Sequence, residues 1–367
     1  MSSPGIYLQW LTKAHTVTQV GFCASFGAGL LLIFLNFMGA QSLFGQYKYI
    51  TRVFTVLGMV FTALGMVVNP NTHNFNTGTL LFTNAQPFGV IDTEFGQKFL
   101  VSYPSLYSSL LALLATQFLY RYWTVFDVKK LRFFNGGYSL VWLIFCSVFG
   151  FFTALDILVF FEMDRASTEY FRKEMLYGYN LNISELPAFG ILAYNPLDGS
   201  ASWWHLMGVW KLFLVFGILY AIMIYCGWSL YSQMDEKIQN FSDTLKKLHW
   251  QIFRVIVLQL TAFTLLILLP TIFIFLLPLF KLEISLPTGA LLCCSTLYPS
   301  ITSIMLMIVV SQYNNTFRET WNNTFSCGRA ATGHNSPAAP IPSPDHEILA
   351  INCTPMMNYR NFPTAHI

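Results

Sequence analysis

Asp156 stands inside an apolar run, Ala154-Leu155-Asp156-Ile157. A carboxylate in such a setting is costly unless it faces other protein or takes up a proton. Two readings follow. Asp156 polarises a ligand pocket or pairs with Lys211 further along the chain, or it only bonds a neighbouring helix or sits near headgroup depth. The seven His (His15, His73, His205, His249, His334, His346 and His366) are scattered. No two share a helix face, so the sequence predicts neither a metal centre nor an acid–base pair. There is no Walker loop, G-x-S-x-G or H-E-x-x-H. The seven Cys, at Cys23, Cys146, Cys226, Cys293, Cys294, Cys327 and Cys353, show no C-x-x-C spacing and no paired framework. No catalytic residue, cofactor or metal is expected.

Arg121 ends another apolar run, within Phe118-Leu119-Tyr120-Arg121-Tyr122-Trp123. A guanidinium there can donate several hydrogen bonds to a partner's carbonyls. It can equally be a basic anchor at a membrane surface. Pro104, Pro270, Pro278 and Pro299 also lie in apolar runs. Each removes a backbone hydrogen bond and bends its helix, although membrane helices tolerate proline generally.

The elements that carry these residues follow from composition. The chain has 367 residues, of which 10% are charged and 54% hydrophobic, with a mean hydropathy of +0.52. Soluble domains carry about 25% charged residues, so a soluble globule is excluded. Disorder is excluded for most of the chain, and a net charge of +3 leaves no nucleic-acid footprint. A membrane-spanning helix needs about 20 apolar residues. Seven stretches qualify: 16–38, 50–68, 99–120, 138–161, 206–231, 252–280 and 288–310. Isolated segments in lipid must bond their own backbone, which forces helices. The fold expected is an all-α bundle of seven transmembrane helices.

Placing the N-terminus outside puts thirteen of the 20 Lys and Arg on the cytoplasmic side and seven outside. The excess favours N-out and C-in. No cleavable signal peptide is expected, because the first apolar stretch reads as a retained helix. Residues 1–15 then form an extracellular N-terminus and 16–310 the helix bundle. The long fourth-to-fifth loop is acidic and holds the sequon Asn182-Ile183-Ser184, on the side where glycosylation occurs. Residues 168–177 in it look helical. Trp203-Trp204-His205 reads as an interfacial anchor. Tyr313, Phe317, Trp321 and Phe325 recur every four residues, which predicts a membrane-surface helix over 311–327. Cys327 is a candidate for palmitoylation, with a free thiol the alternative. Residues 328–367 read as a flexible cytoplasmic tail.

At Tyr120-Arg121-Tyr122 the chain resembles the nematode seven-helix chemoreceptors of the Str group, the serpentine receptor family that includes the olfactory diacetyl receptor. Gly45-Gln46-Tyr47-Lys48-Tyr49, a Phe-rich span and Asn69-Pro70 are similar to that family's first inner loop and second helix. Glu169-Tyr170, Met175-Leu176 and Tyr179 resemble its second outer loop. The run from Thr244 to Phe253, with Gln259 and Pro270, resembles the approach to helix six, and Leu297-Tyr298-Pro299 the helix-seven signature. The chain departs from the pattern at Ser300-Ile301-Thr302-Ser303 and at Gln312-Tyr313-Asn314-Asn315. Its outer loops lack Cys, so any link from loop to helix three must be non-covalent.

The resemblance implies a G-protein-coupled chemosensory receptor in the plasma membrane of chemosensory neurons, in their cilia. Its partners would be a small volatile odorant, a heterotrimeric G protein and membrane lipid. The pocket is expected at Tyr103, Tyr107, Asp156, Trp210 and Thr288. The coupling switch is expected at Tyr120, Arg121, Tyr122, Pro270, Tyr298 and Pro299. A transporter would show inverted repeats and intramembrane ions. A seven-helix ligand-gated channel would need the N-terminus inside.

Overall fold

The computed structural model describes residues 5–38, 47–84, 93–196, 198–311 and 313–318. Trp321, Phe325, Cys327 and the expected tail lie outside the described residues, as do Gly45 and Gln46. Seven helical spans are long and apolar enough to cross a membrane. They are α1 (Leu8–Met38), α2 (Tyr47–Val68), α3 (Thr93–Phe126), α4 (Leu140–Phe160, preceded by a 3₁₀ turn), α6 (Trp203–Ile238) and two interrupted spans. Helix α5 (Arg165–Tyr179) lies in the fourth-to-fifth connection. The sixth span joins α7 (Asp243–Phe263), a π-helical segment Thr264–Leu268, α8 (Leu269–Leu276) and a 3₁₀ turn Leu277–Phe280. The seventh joins α9 (Gly289–Cys293), a 3₁₀ turn Cys294–Leu297 and α10 (Tyr298–Val309).

Several helices run past the apolar stretches that announce them. Helix α1 begins at Leu8 where 16 was expected, and Lys13 lies inside it with its ammonium 4.2 Å from the Trp10 ring centroid. The hydropathic run ends near the membrane boundary, while the backbone hydrogen-bond ladder continues beyond it. Ahead of α1, Gly5 and Tyr7 donate their N–H groups to the carbonyls of Tyr177 and Gly178 on α5. The stretch expected as a separate N-terminus is therefore partly helix and partly docked.

Helix α3 packs on α2, α4 and α6 and is the most buried span. Lipid gives no hydrophobic drive between helices, so close backbone approach matters most. Gly150 of α4 meets α3 where an added Cβ would sit 2.4 Å from Ser109 Oγ. Gly58 of α2 likewise faces Pro299 at 2.8 Å.

One end of the bundle carries a feature the sequence reading did not anticipate. An antiparallel four-stranded sheet, ordered β3-β2-β1-β4, is built from β1 (Asn71–Phe75), β2 (Gly78–Phe82), β3 (Ala188–Leu192) and β4 (Ser285–Pro287). The expected seven-helix bundle is present, and this small sheet is added to it. Asn76 makes the tight turn between β1 and β2 at φ 46°, a conformation that Asn tolerates. Successive side chains of a strand face opposite ways. Thr72, Thr79, Leu81, Phe189 and Ile191 face the bundle. His73, Leu80, Phe82, Ala188 and Leu192 face the other way, towards the Phe171, Met175 and Tyr179 layer of α5. Phe189 and Ile191 share a core cluster with Leu100 and Val101 of α3. That apolar packing, with no disulfide, joins the loop to helix three.

Candidate functional site

Beneath the sheet the spans part around a cavity with about 90 Å³ of room for the centre of a water-sized sphere. One water needs roughly 10–15 Å³ by that measure, so the space admits a small organic molecule. Its walls come from the sheet and from α3, α4, α6, α8 and α9, and none of the lining side chains is charged. A site of this kind selects uncharged, mainly apolar molecules.

The few polar groups in the lining differ in how committed they are. Tyr103 is hydrogen-bonded to Ser295 at 2.7 Å. Thr153 donates to Ser108 at 2.7 Å, and Thr72 accepts from Thr288 at 2.9 Å. Tyr107 of α3 and Thr271 of α8 reach each other only at 3.4 Å. That is beyond the usual 2.5–3.0 Å or so of a hydroxyl pair. These two hydroxyls are the best placed to take a ligand's carbonyl or hydroxyl oxygen.

Of the residues singled out for the pocket, Tyr103 and Tyr107 line the cavity. Thr288 lies one layer behind, buried and donating to Thr72 and Asn74. Asp156 is also behind the wall, 2.8 Å from Lys211 Nζ, as the pairing alternative held. The next residue after each, Ile157 and Leu212, does line the cavity. Trp210 does not reach it: the side chain is 70% exposed on the lipid-facing side of α6, and Leu212 and Phe216 take the inward face.

Sequence reasoning missed the sheet's contribution to the walls. It also missed how the sheet grips the sixth span. Pro278 has no N–H to give the Ile274 carbonyl one turn earlier. Asn74 Nδ2 donates to that carbonyl at 2.8 Å and Thr79 Oγ1 at 3.2 Å. At the other end of α8, Pro270 withholds its N–H from the turn before it, and the Leu269 N–H bonds the Thr264 carbonyl across a wide π turn. The segment Thr271–Phe275 thus lies between a pinned end and an irregular one.

Above the sheet a polar cluster ties four elements together. His73 Nδ1 lies 3.1 Å from the Tyr179 hydroxyl, and His73 Nε2 lies 3.3 Å from Glu174. Ser285 donates to Glu174 and accepts from Tyr7 at 2.8 Å. The His73 hydrogen bond, aided by that of Ser285, holds the Glu174 carboxyl below its usual range against partial burial. Asn182 is exposed near this end and caps a short 3₁₀ turn.

At the opposite end Arg121 is 6% exposed, its guanidinium carbon 4.1 Å from the Tyr47 ring centroid. Its Nε and Nη2 have no hydrogen-bond partner among the described residues. Tyr120 packs on Tyr47 and Phe134, and Tyr122 on Phe126 and Tyr225. Tyr298 is fully buried between Phe54 and Phe263, with Pro299 next to it against Gly58. Tyr313, expected on a surface helix, is buried and accepts a hydrogen bond from Asn36. Among the described residues no group of His, Cys, Asp and Glu is placed to hold a metal ion.

Residues 14–318 match the family described as serpentine type 7TM GPCR chemoreceptor Str. The chain belongs to the Str family of serpentine chemoreceptors. Similar Str-type and related proteins include "G-protein coupled receptor str-33" of Caenorhabditis elegans, 30% identical over 308 residues, or 82% of this chain and 88% of that protein. "Serpentine receptor class r-10" of the same nematode is 26% identical over 324 residues, covering 87% and 93% of the two chains. Its Caenorhabditis briggsae namesake is 24% identical over 312 residues, covering 84% and 90%. This Str protein is accordingly a multi-pass membrane protein of the GPCR type. Both the cavity and the Arg121 end fall inside the matched residues.

Proposed function

We propose that this Str-family protein is a G-protein-coupled chemoreceptor for a small, uncharged, volatile ligand held beneath the sheet. The N-terminus and sheet face outward and the Arg121 end faces the cytoplasm, as the Lys and Arg distribution favours. The plasma membrane of chemosensory cilia is the proposed setting.

A ligand changes a conformational equilibrium only by binding one state better than the other. Here the ligand's oxygen would draw the Tyr107 and Thr271 hydroxyls onto itself. Thr271 follows Pro270, so the pull acts at the irregular turn of the sixth span. With the sheet end of α8 pinned, the α7 half moves, opening the bundle beside Arg121. A guanidinium with unpartnered donors then meets carbonyls of the G protein. Tyr298 of the seventh span packs on Phe263 of that moving half, while Pro299 packs on α2 at Gly58. The observation that carries this reading is the loose Tyr107–Thr271 contact in an uncharged cavity, one residue from Pro270.

The test is a screen of small neutral volatiles in cells carrying a calcium or cAMP reporter, repeated on two variants at equal surface level. Leu292→Trp fills the cavity and should abolish responses to every hit. Arg121→Ala should retain ligand binding and lose output. Hits that act equally on Leu292→Trp would remove the cavity from the account.

A further inference from the structure

The cavity is closed towards the sheet end, among the described residues, by two successive layers. The first is the sheet, whose inward face supplies Thr72, Thr79, Leu81, Phe189 and Ile191 to the lining. These strands are paired along their lengths, with β1 and β2 in register over five residue pairs and β2 and β3 over five. The second layer is α5, which covers the other face with Phe171 and Met175, both fully buried. The His73, Glu174, Ser285, Tyr7 and Tyr179 cluster fastens the two layers to each other and to the start of α1. A ligand arriving from water would have to part both.

The side wall between the fifth and sixth spans is built differently. The Tyr220 hydroxyl on α6 and Thr264 on the sixth span are bonded at 3.0 Å. Nearer the sheet α8 takes the place of α7 beside α6. There the cavity is bounded by Leu212 and Phe216 from α6 and by Thr271 and Phe275 from α8. Residues two positions away, Leu214 on α6 and Phe273 on α8, are 63% and 47% exposed on the outer surface of the bundle. In a membrane-spanning segment that surface faces hydrocarbon. Among the described residues this part of the wall is mainly apolar and no hydrogen bond joins α6 to α8, so opening it there breaks none. Opening the lid breaks many, each costly in a buried setting.

We infer that the ligand of this site enters sideways from the bilayer, through a portal between α6 and α8 at Leu212, Phe216 and Phe275, and that it is therefore an uncharged molecule that partitions into lipid. The inference rests on the proposed use of the cavity. The bilayer concentrates such a molecule at the portal, and a charged or strongly hydrated analogue is excluded before it meets the pocket. The portal helix α8 is the one that carries Thr271, so entry and switching involve the same segment.

The test labels the full-length protein in lipid nanodiscs and needs no signalling, so failure of the route and failure of the receptor reading appear in separate experiments. The seven native cysteines are replaced, and one is placed in the cavity wall by Ile191→Cys. Two probes are compared, benzyl methanethiosulfonate (neutral, lipid-soluble) and sulfonatoethyl methanethiosulfonate (anionic, water-soluble), each normalised to its rate with free cysteine. The neutral probe should react at least about tenfold faster, since an anion pays several-fold more to cross hydrocarbon. Adding Phe275→Ala should speed the neutral probe severalfold and Phe275→Trp should slow it. Adding Glu174→Gln, which loosens the lid, should change neither rate. Equal rates for the two probes, acceleration by Glu174→Gln in place of Phe275→Ala, or no reaction with either probe would each overturn the portal.

Discussion

Asn74 of β1 donates its side-chain N–H to the carbonyl of Ile274 at 2.8 Å, the carbonyl that Pro278 leaves without its helical partner. A residue in the second-to-third connection thus completes a helix 200 positions away. Because the same Asn74 also accepts from Thr288, it joins the sheet to both the sixth and the seventh spans.

Asn74→Ala should lower stability by about 1 kcal/mol, the net worth of a buried hydrogen bond, since the Ile274 carbonyl keeps only the longer Thr79 bond. In a Pro278→Ala background the helix regains an N–H for Ile274, and the same substitution should cost less. Thermal melting of the four proteins in one detergent checks the non-additivity. Simple addition would mean that the Asn74 bond does not compensate Pro278.

The lid should be acid-sensitive through Glu174. Its carboxyl titrates lower in the folded protein than the ordinary 4.5, chiefly through the His73 hydrogen bond. The charged form therefore stabilises the fold above that ordinary value, and the contribution is lost as pH falls through the lower folded value. Tyr179, Tyr7 and Ser285 are the other polar groups facing the pair. Melting followed from pH 6 to about 3 should fall more steeply for the wild type than for Glu174→Gln. Parallel curves would show that the carboxylate carries no folding linkage.

The Asp156–Lys211 pair should show a coupling energy of about 1 kcal/mol in a double-mutant cycle. Lys211→Met alone leaves a 3%-exposed carboxylate without its cation, whereas adding Asp156→Asn removes the charge as well. The single variant should be the less stable of the two. The cavity residues that follow each member, Ile157 and Leu212, should then bind ligand less well in the single variant. Equal melting temperatures for both variants would make the pair a surface ornament.

Asn182 and Asn240 are both exposed sequon residues, at opposite ends of the bundle. With the sheet end outside, a glycan can be carried by Asn182 and never by Asn240. Gel mobility of Asn182→Gln and Asn240→Gln after expression in a eukaryotic host decides it. A shift with Asn240→Gln would invert the topology and remove the coupling role from Arg121.

The spans were legible because a membrane helix must be apolar along its whole length, and Asp156 stood out because charges are rare there, although its pairing with Lys211 was one of several open readings. The same uniformity hid which way each helix faces. Trp210 and Leu212 flank Lys211 in one apolar span, and nothing in their types tells that Trp210 meets lipid while Leu212 meets the cavity. The sheet was hidden for another reason. Its strands are three to five residues long, and β2 pairs with β3 across more than a hundred residues, so no local pattern announces it. The turn at Asn76 between Thr72-His73-Asn74-Phe75 and Thr79-Leu80-Leu81-Phe82 was the available local signal. Pro270 and Pro278 were legible as bends, but the groups that repair the bends come from elsewhere in the chain.

The most direct test of the account is agonist binding and reporter output measured together for wild type and Pro270→Ala at equal surface expression. Restoring the N–H at position 270 regularises the turn beside Thr271 and stiffens the sixth span. Binding should stay within a few-fold of wild type, while maximal output should fall by a clearly larger factor. Loss of binding with unchanged maximal output would place Pro270 in shaping the cavity and contradict the claim that the ligand acts through the sixth span on the Arg121 end.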